Sequence, residues 1–157
     1  MNRRICVSFD LECDGSTEIE SCTASSQSND NWGCNYVISG EREWEIHPTD
    51  TASPWIQIFL KNEYDLRQLW IKQSKKVDNH FSEIDIEFSD GSSLGNYKLP
   101  GNHELPNHAG WIIVILPIGT RSRFVKIIRK RSQGPDSQGA LAKLKVVGCL
   151  QSNFIFN

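Results

Sequence analysis

Four histidines, at positions 47, 80, 103 and 108, are the residue type best suited to bind a metal or shuttle a proton near neutral pH. Two of them share the stretch Asn102-His103-Glu104-Leu105-Pro106-Asn107-His108, which looks like a zinc motif at first sight. A helical H-E-x-x-H motif needs its histidines at i and i+4 on one face. Here they are five apart and Pro106 interrupts any helix, so solvent-facing loop histidines are expected. Glu83, Asp85 and Glu87 alternate along one strand face, about 7 Å apart. That spacing resembles a glycosidase pair, but carboxylates on an open sheet face lack the enclosure that would make one an acid and the other a base. No G-x-S-x-G elbow, glycine-rich phosphate loop or cysteine with a histidine partner is found. The chain reads as a non-enzyme, with no catalytic residues. Arg129-Lys130-Arg131 lead into a loop, Gln133 to Gln138, and either hold a carboxylate, sulfate or phosphate or keep a strand end soluble.

Five cysteines stand at 6, 13, 22, 34 and 149. They contain no C-x-x-C pair and match no zinc template, so no metal site is expected from them. An odd number leaves one thiol unpaired within a monomer. Cys6 and Cys149 lie near opposite ends, and a bond between them would contribute up to about 4–5 kcal/mol by closing a long loop. Five reduced thiols of a cytosolic protein are the alternative.

These groups need a frame to hold them. The chain has 157 residues, the length of one domain, with 38% hydrophobic and 10% aromatic residues. Its formal charge of −2 argues against a nucleic-acid-binding footprint. That near-neutrality hides two segments. Asp10 to Asp50 carries ten acidic residues and one basic, whereas Arg121 to Lys145 carries eight basic residues and one acidic. Mutual compensation in the fold is expected, with a basic face for an anionic partner as the other reading. No apolar leader follows the basic start, and the longest apolar run, Trp111 to Leu116, is too short to span a bilayer. An intracellular protein is slightly favoured over an excised module of a secreted parent, which would be one part of a larger protein.

Period-two alternation is the dominant pattern. It runs through Trp55–Leu60, Ser82–Phe88, Arg123–Arg129 and Lys143–Val147, with further strands at Leu66–Ile71 and at Trp111–Leu116, the latter apolar enough to be central. Turn clusters at Ser89–Ser93, Pro100–Asn102, Pro117–Gly119 and Gln133–Asp136 separate them. The pattern predicts an all-β fold, an antiparallel β-sandwich or barrel.

Six segments then fall into a familiar order. Cys22-Thr23-Ala24-Ser25-Ser26, Asn35 to Gly40 followed by Trp44, and Pro54 to Leu60 come first. Phe81 to Phe88 with Ser89-Asp90-Gly91, Arg123 to Ile127, and Leu144 to Cys149 follow. Over about residues 6–150 this order resembles the coagulation factor 5/8 type C (discoidin) domain family. The resemblance implies a jelly-roll β-sandwich of the galactose-binding-like superfamily, used to bind sugars, phospholipid head groups or proteins. It points to Cys6 as the partner of Cys149, and it places Trp44 and Trp55 in the core. Trp70 and Trp111, in strands, are expected there too. Many relatives hold a structural calcium near a "D-G" turn, but Ser39 replaces that Asp and removes a hard oxygen ligand. Asp10, Glu12 and Asp14 offer another acidic cluster, more simply read as a solvated segment.

The resemblance also implies ligand loops at Gln27–Gly33, Glu41–Pro48, Ser74–His80 and Ser132–Ala140, carried at one end of the sheets. Candidate ligand residues on them are Asn31, Trp32, His47 and His80, with Arg129 and Arg131 beside the last loop. The reading is a monomeric, non-catalytic recognition module for a protein partner or a glycan. A protein partner is preferred, and a lectin-like domain is the alternative. Anionic phospholipid binding and hydrolysis rank lower, the former because the Gln27–Asn35 loop is short.

Overall fold

The computed structural model describes Gly15 and residues 17–89, 96–101 and 103–150. Among these residues, nine strands form an antiparallel jelly-roll β-sandwich: β1 (Ile19–Ala24), β2 (Trp44–Glu45), β3 (Trp55–Gln73), β4 (Phe81–Ser89), β5 (Asn96–Lys98), β6 (His103–Glu104), β7 (Trp111–Ile115), β8 (Arg121–Ser132) and β9 (Ala140–Leu150). One short helix, α1 (Tyr36–Ser39), and two 3-10 turns, Asp30–Trp32 and Val77–Asn79, lie between them.

The two strands expected at 55–60 and 66–71 are one. β3 runs for 19 residues. Its first part is flanked by β1 and β8, its second by β9 and β7, with the register shifting between Phe59 and Tyr64 on the β8 side. Ile56, Ile58 and Leu60 are buried at period two, but the next buried aliphatics, Leu66 and Leu69, are three apart. The slip coincides with a register shift against β9 between Leu66 and Gln68. An extra residue at that point re-aims the following side chains, so Leu69 and Ile71 still reach the core. There they join Ile84, Ile86 and Phe88 of β4, Val125 and Ile127 of β8 and Leu144 and Val146 of β9.

Trp44 is fully buried, edge-on to Phe81 at 6.2 Å, and its indole N–H donates to the Ser26 carbonyl at 2.9 Å. The other strand tryptophans depart from expectation. Trp55 lies beneath the Lys126 ammonium, 4.4 Å from the ring centroid. Trp70 lies beneath Lys145 at 4.8 Å and meets Trp111 edge-on at 5.8 Å. These rings sit on outer sheet faces, where cation–π contact and pairing substitute for core packing. β7 is likewise not central. It pairs with β3 alone and exposes Trp111, Ile113 and Ile115, while Ile112 is buried.

Among the described residues, charge compensation is mostly between neighbouring strands. Arg131 meets Glu83 at 3.5 Å, and Asp85 takes Lys98 at 2.9 Å and Lys130 at 3.8 Å. The β4 carboxylates are therefore partly covered by the β8 cations, and Asp85 is buried. Among the described ion pairs, Arg123 with Glu20 at 3.6 Å joins the basic and acidic segments.

Cys22 and Cys34 form a disulfide across a separation of 12 residues. It ties β1 to the turn preceding α1. Cys149 is disulfide-bonded as well, while Cys6, its expected partner, lies outside the described residues. Replacing Cys22 and Cys34 together by serine is expected to lower stability by about 2–4 kcal/mol in urea denaturation, through the loop freed in the unfolded chain. A loss below about 1 kcal/mol would mean that the unfolded chain is already restricted there.

Candidate functional site

Three of the four expected loops converge at one end of the sandwich. The 74–80 loop is closed by side chains. Gln73, buried at the end of β3, donates through Nε2 to the Phe81 carbonyl at 2.7 Å and accepts from the Phe81 amide at 3.1 Å. His80 is buried inside the loop, its Nε2 2.6 Å from the Ser74 carbonyl and its Nδ1 2.8 Å from the Asn107 side-chain amide. The carbonyl can only accept, so Nε2 carries the proton.

The 132–140 loop lies directly against this one. The Gln133 amide donates to the His80 carbonyl at 2.9 Å, and the Gly134 amide donates to the Asp78 carbonyl at 3.2 Å. A Cβ on Gly134 would stand 2.6 Å from that Asp78 oxygen, so only glycine allows the approach. Arg129 fixes the other side. Its guanidinium donates to the carbonyls of Thr51 at 2.9 Å, Asp136 at 2.6 Å and Gln138 at 3.2 Å, and to Ser132 Oγ at 3.1 Å. Burial lowers the Arg129 pKa from the ordinary arginine value, and the Asp136 and Asp50 carboxylates oppose that shift.

The third loop is fastened to β1. Asp50 Oδ2 accepts from Ser25 Oγ at 2.6 Å and Ser26 Oγ at 2.8 Å, while Ser25 and Ser26 in turn accept from the Trp55 and His47 amides. Between the three loops lies a pocket of about 390 Å³ lined by Glu45, Lys76, Val77, Asp78, Asn79 and Gln138. It combines acceptors, donors and one apolar side chain, Val77, which is 55% exposed.

The expected loops thus meet, but with other side chains forward. His80 is turned inward with both ring nitrogens engaged, and Arg129 with both terminal guanidinium nitrogens engaged, so that each holds the loops from within. His47 is exposed, with Nδ1 2.7 Å from Thr49 Oγ1, outside the pocket lining. Arg131 is exposed on β8 and paired with Glu83. Asn31 is exposed, and half-buried Trp32 lines a separate groove beside the pocket. Asp10, Glu12 and Asp14, considered for a cation, lie outside the described residues. Glu45, Lys76, Asp78 and Gln138 carry no motif that singles them out. For Lys76 and Asp78 the signal is a polar run interrupted by a lone valine, Lys75-Lys76-Val77-Asp78-Asn79; Glu45 and Gln138 have none.

The F5/8 type C domain model matches residues 21–142. The chain belongs to the F5/8 type C domain family. No curated protein matches it in sequence. Among solved structures, this F5/8 type C domain is similar to the family 32 carbohydrate-binding module of Clostridium perfringens NanJ in complex with galactose. The TM-score is 0.73 at 13% identity, covering 85% of this chain and 99% of that one. A second C. perfringens family 32 module, in complex with GalNAc-beta-1,3-galactose, gives 0.71 at 15% identity, with 80% and 93% covered. A chitosan-binding module from a Paenibacillus sp. IK-5 chitosanase/glucanase gives 0.68 at 15%, with 84% and 97% covered. At such identities the likeness establishes the shared fold.

Proposed function

We propose that this F5/8 type C domain is a non-catalytic, lectin-like module that binds a glycan in the pocket between the 41–48, 74–80 and 132–140 loops. The observation that carries it is the convergence of Glu45, Lys76, Asp78 and Gln138 around exposed Val77 on pinned loops. Carboxylates accept from neighbouring sugar hydroxyls, an ammonium donates to them, a carboxamide does both, and an aliphatic side chain meets the C–H face of the ring. The similar modules solved with galactose and with GalNAc-beta-1,3-galactose favour this reading over the protein partner preferred from sequence.

An open site of this size implies weak binding of a single sugar. At about 0.3 kcal/mol per non-hydrogen atom, a hexose of ~12 such atoms gains about 4 kcal/mol, or Kd near 1 mM. Longer glycans or several linked modules raise it. Titration calorimetry against galactose, N-acetylgalactosamine and chitosan oligosaccharides tests the proposal. Asp78→Ala is expected to lose a charge-assisted bond of about 1.5–3 kcal/mol, a weakening of tenfold or more. No binding to any of these sugars, or to a broad neutral and acidic glycan array, would sink it. The disulfides favour an oxidising compartment over the intracellular setting expected from the sequence. Non-reducing peptide mapping of protein from its native source checks this, since free thiols at Cys22 and Cys34 would contradict it.

A further inference from the structure

Beside the pocket, and sharing Lys76 with it, runs a groove of about 460 Å³. Five cationic side chains line it, Arg42, Lys72, Lys75, Lys76 and Lys143, against two carboxylates, Glu41 and Glu43. Glu43 is already engaged: Oε1 accepts from Ser74 Oγ at 2.6 Å and Oε2 from the Lys75 amide at 2.9 Å. Lys72 and Lys143 stand directly opposite each other on the antiparallel strands β3 and β9. Like charges in such a pair repel and cost stability unless a counter-charge intervenes. Among the described residues no carboxylate lies within ion-pair distance of either lysine, nor of Arg42, Lys75 or Lys76.

What these cations do contact leaves their charges available. The Lys143 stem packs over Gly40, where an added Cβ would sit 3.0 Å from Cδ. Gly40 itself has φ of 76° and closes α1 by donating to the Tyr36 carbonyl at 2.7 Å. A larger residue there would be strained and would displace Lys143. Lys72 Nζ is 5.9 Å from the Trp111 ring centroid, and Arg42 Cζ is 5.7 Å from that of Tyr36. Trp32 adds an aromatic lining beside them. An aromatic surface next to uncompensated ammonium and guanidinium groups suits a sugar ring that bears an anion.

We propose that this groove is a second subsite, which takes a carboxylate- or sulfate-bearing residue of the glycan whose neighbouring sugar occupies the pocket. The inference rests on the glycan reading above. Lys76, lining both cavities, is the side chain that joins the two subsites. The ligand class is then an anionic oligosaccharide rather than a neutral one.

Calorimetry of the full 157-residue chain with a sulfated galactan tetrasaccharide, its desulfated counterpart and tetragalacturonate tests this. The sulfated galactan or the uronate, whichever carries the natural anion, is expected to bind about tenfold or more tighter than the neutral sugar at 50 mM NaCl. That advantage should shrink severalfold by 300 mM NaCl, as exposed charges are screened. Lys75→Gln with Lys143→Gln should abolish the preference while neutral-sugar affinity moves less than about twofold and the thermal midpoint does not fall, because relieving the Lys72–Lys143 repulsion can only raise it. Should Lys143→Gln unsettle Gly40, Lys75→Gln alone must still remove part of the preference. Equal affinity for charged and neutral sugars would overturn the groove and leave the pocket standing. Binding of none of them would overturn both. Lysine-dependent capture by phosphatidylserine vesicles, without any preference for the anionic sugars, would also overturn the saccharide assignment.

Discussion

Arg129→Ala is expected to destabilise the protein by about 3–5 kcal/mol, the range for breaking a buried, hydrogen-bonded charge network. The residue is fully buried, and its guanidinium holds three carbonyls from two separate stretches, Thr51 on one side and Asp136 and Gln138 on the other. Truncation removes the donors, leaves the inward-turned carbonyls unserved and opens a cavity the size of a long side chain. The native arrangement is not cost-free, because Nε is buried without a partner. Arg129→Lys should recover only part of the loss, since one ammonium cannot span all of these acceptors. Urea denaturation followed by tryptophan fluorescence provides the measurement. A cost under 1 kcal/mol for the alanine variant would show that the 132–140 loop is held mainly by its backbone.

Gly134→Val is expected to damage stability and binding together. Its Cβ would meet the Asp78 carbonyl oxygen at 2.6 Å, with the Asp78 Cβ at 2.9 Å and Cα at 3.1 Å. Backbone cannot swing aside as a flexible side chain does, so the two loops must separate. Overpacking of this kind costs about 1–3 kcal/mol. The Gly134-to-Asp78 hydrogen bond would lengthen, and Gln138 would move away from Asp78 across the pocket. A displacement of about 1 Å is enough to weaken a site that depends on several aligned hydrogen bonds, so glycan affinity should fall more than tenfold. Retained affinity in a destabilised variant would show that the 132–140 loop does not contribute to recognition.

The two substitutions separate scaffold from site. Arg129 is buried beneath the loops, whereas Gly134 sets the distance between two walls of the pocket. His80 belongs with Arg129: its ring closes the 74–80 loop from within. Both residue types are often found contacting ligands, and both lie in the converging loops or beside them. Their burial follows from a general difficulty of loops, whose backbone carbonyls have no strand partner and must be served by side chains. A donor-rich side chain near a loop is therefore as useful to the loop as to a ligand.

The amino-acid order by itself determined the fold class, because period-two alternation between turn clusters allows strands and little else. Six segments in family order determined the jelly-roll. The positions of the loops were legible for the same reason, as the gaps between those segments. Tertiary structure decided which side chains those loops turn outward, through hydrogen-bond demands that no local pattern encodes. It also fused two predicted strands into β3, since a bulge near Arg67 restores the inward phase only when the neighbouring strand is present. It moved Trp55, Trp70 and Trp111 from the expected core to outer faces, where lysines cover them. And it placed Lys72 opposite Lys143, two residues 71 positions apart in sequence, by the register of β3 on β9. Cross-strand register is a long-range property, fixed by the whole buried face at once, so the cationic groove could be seen only in the folded chain.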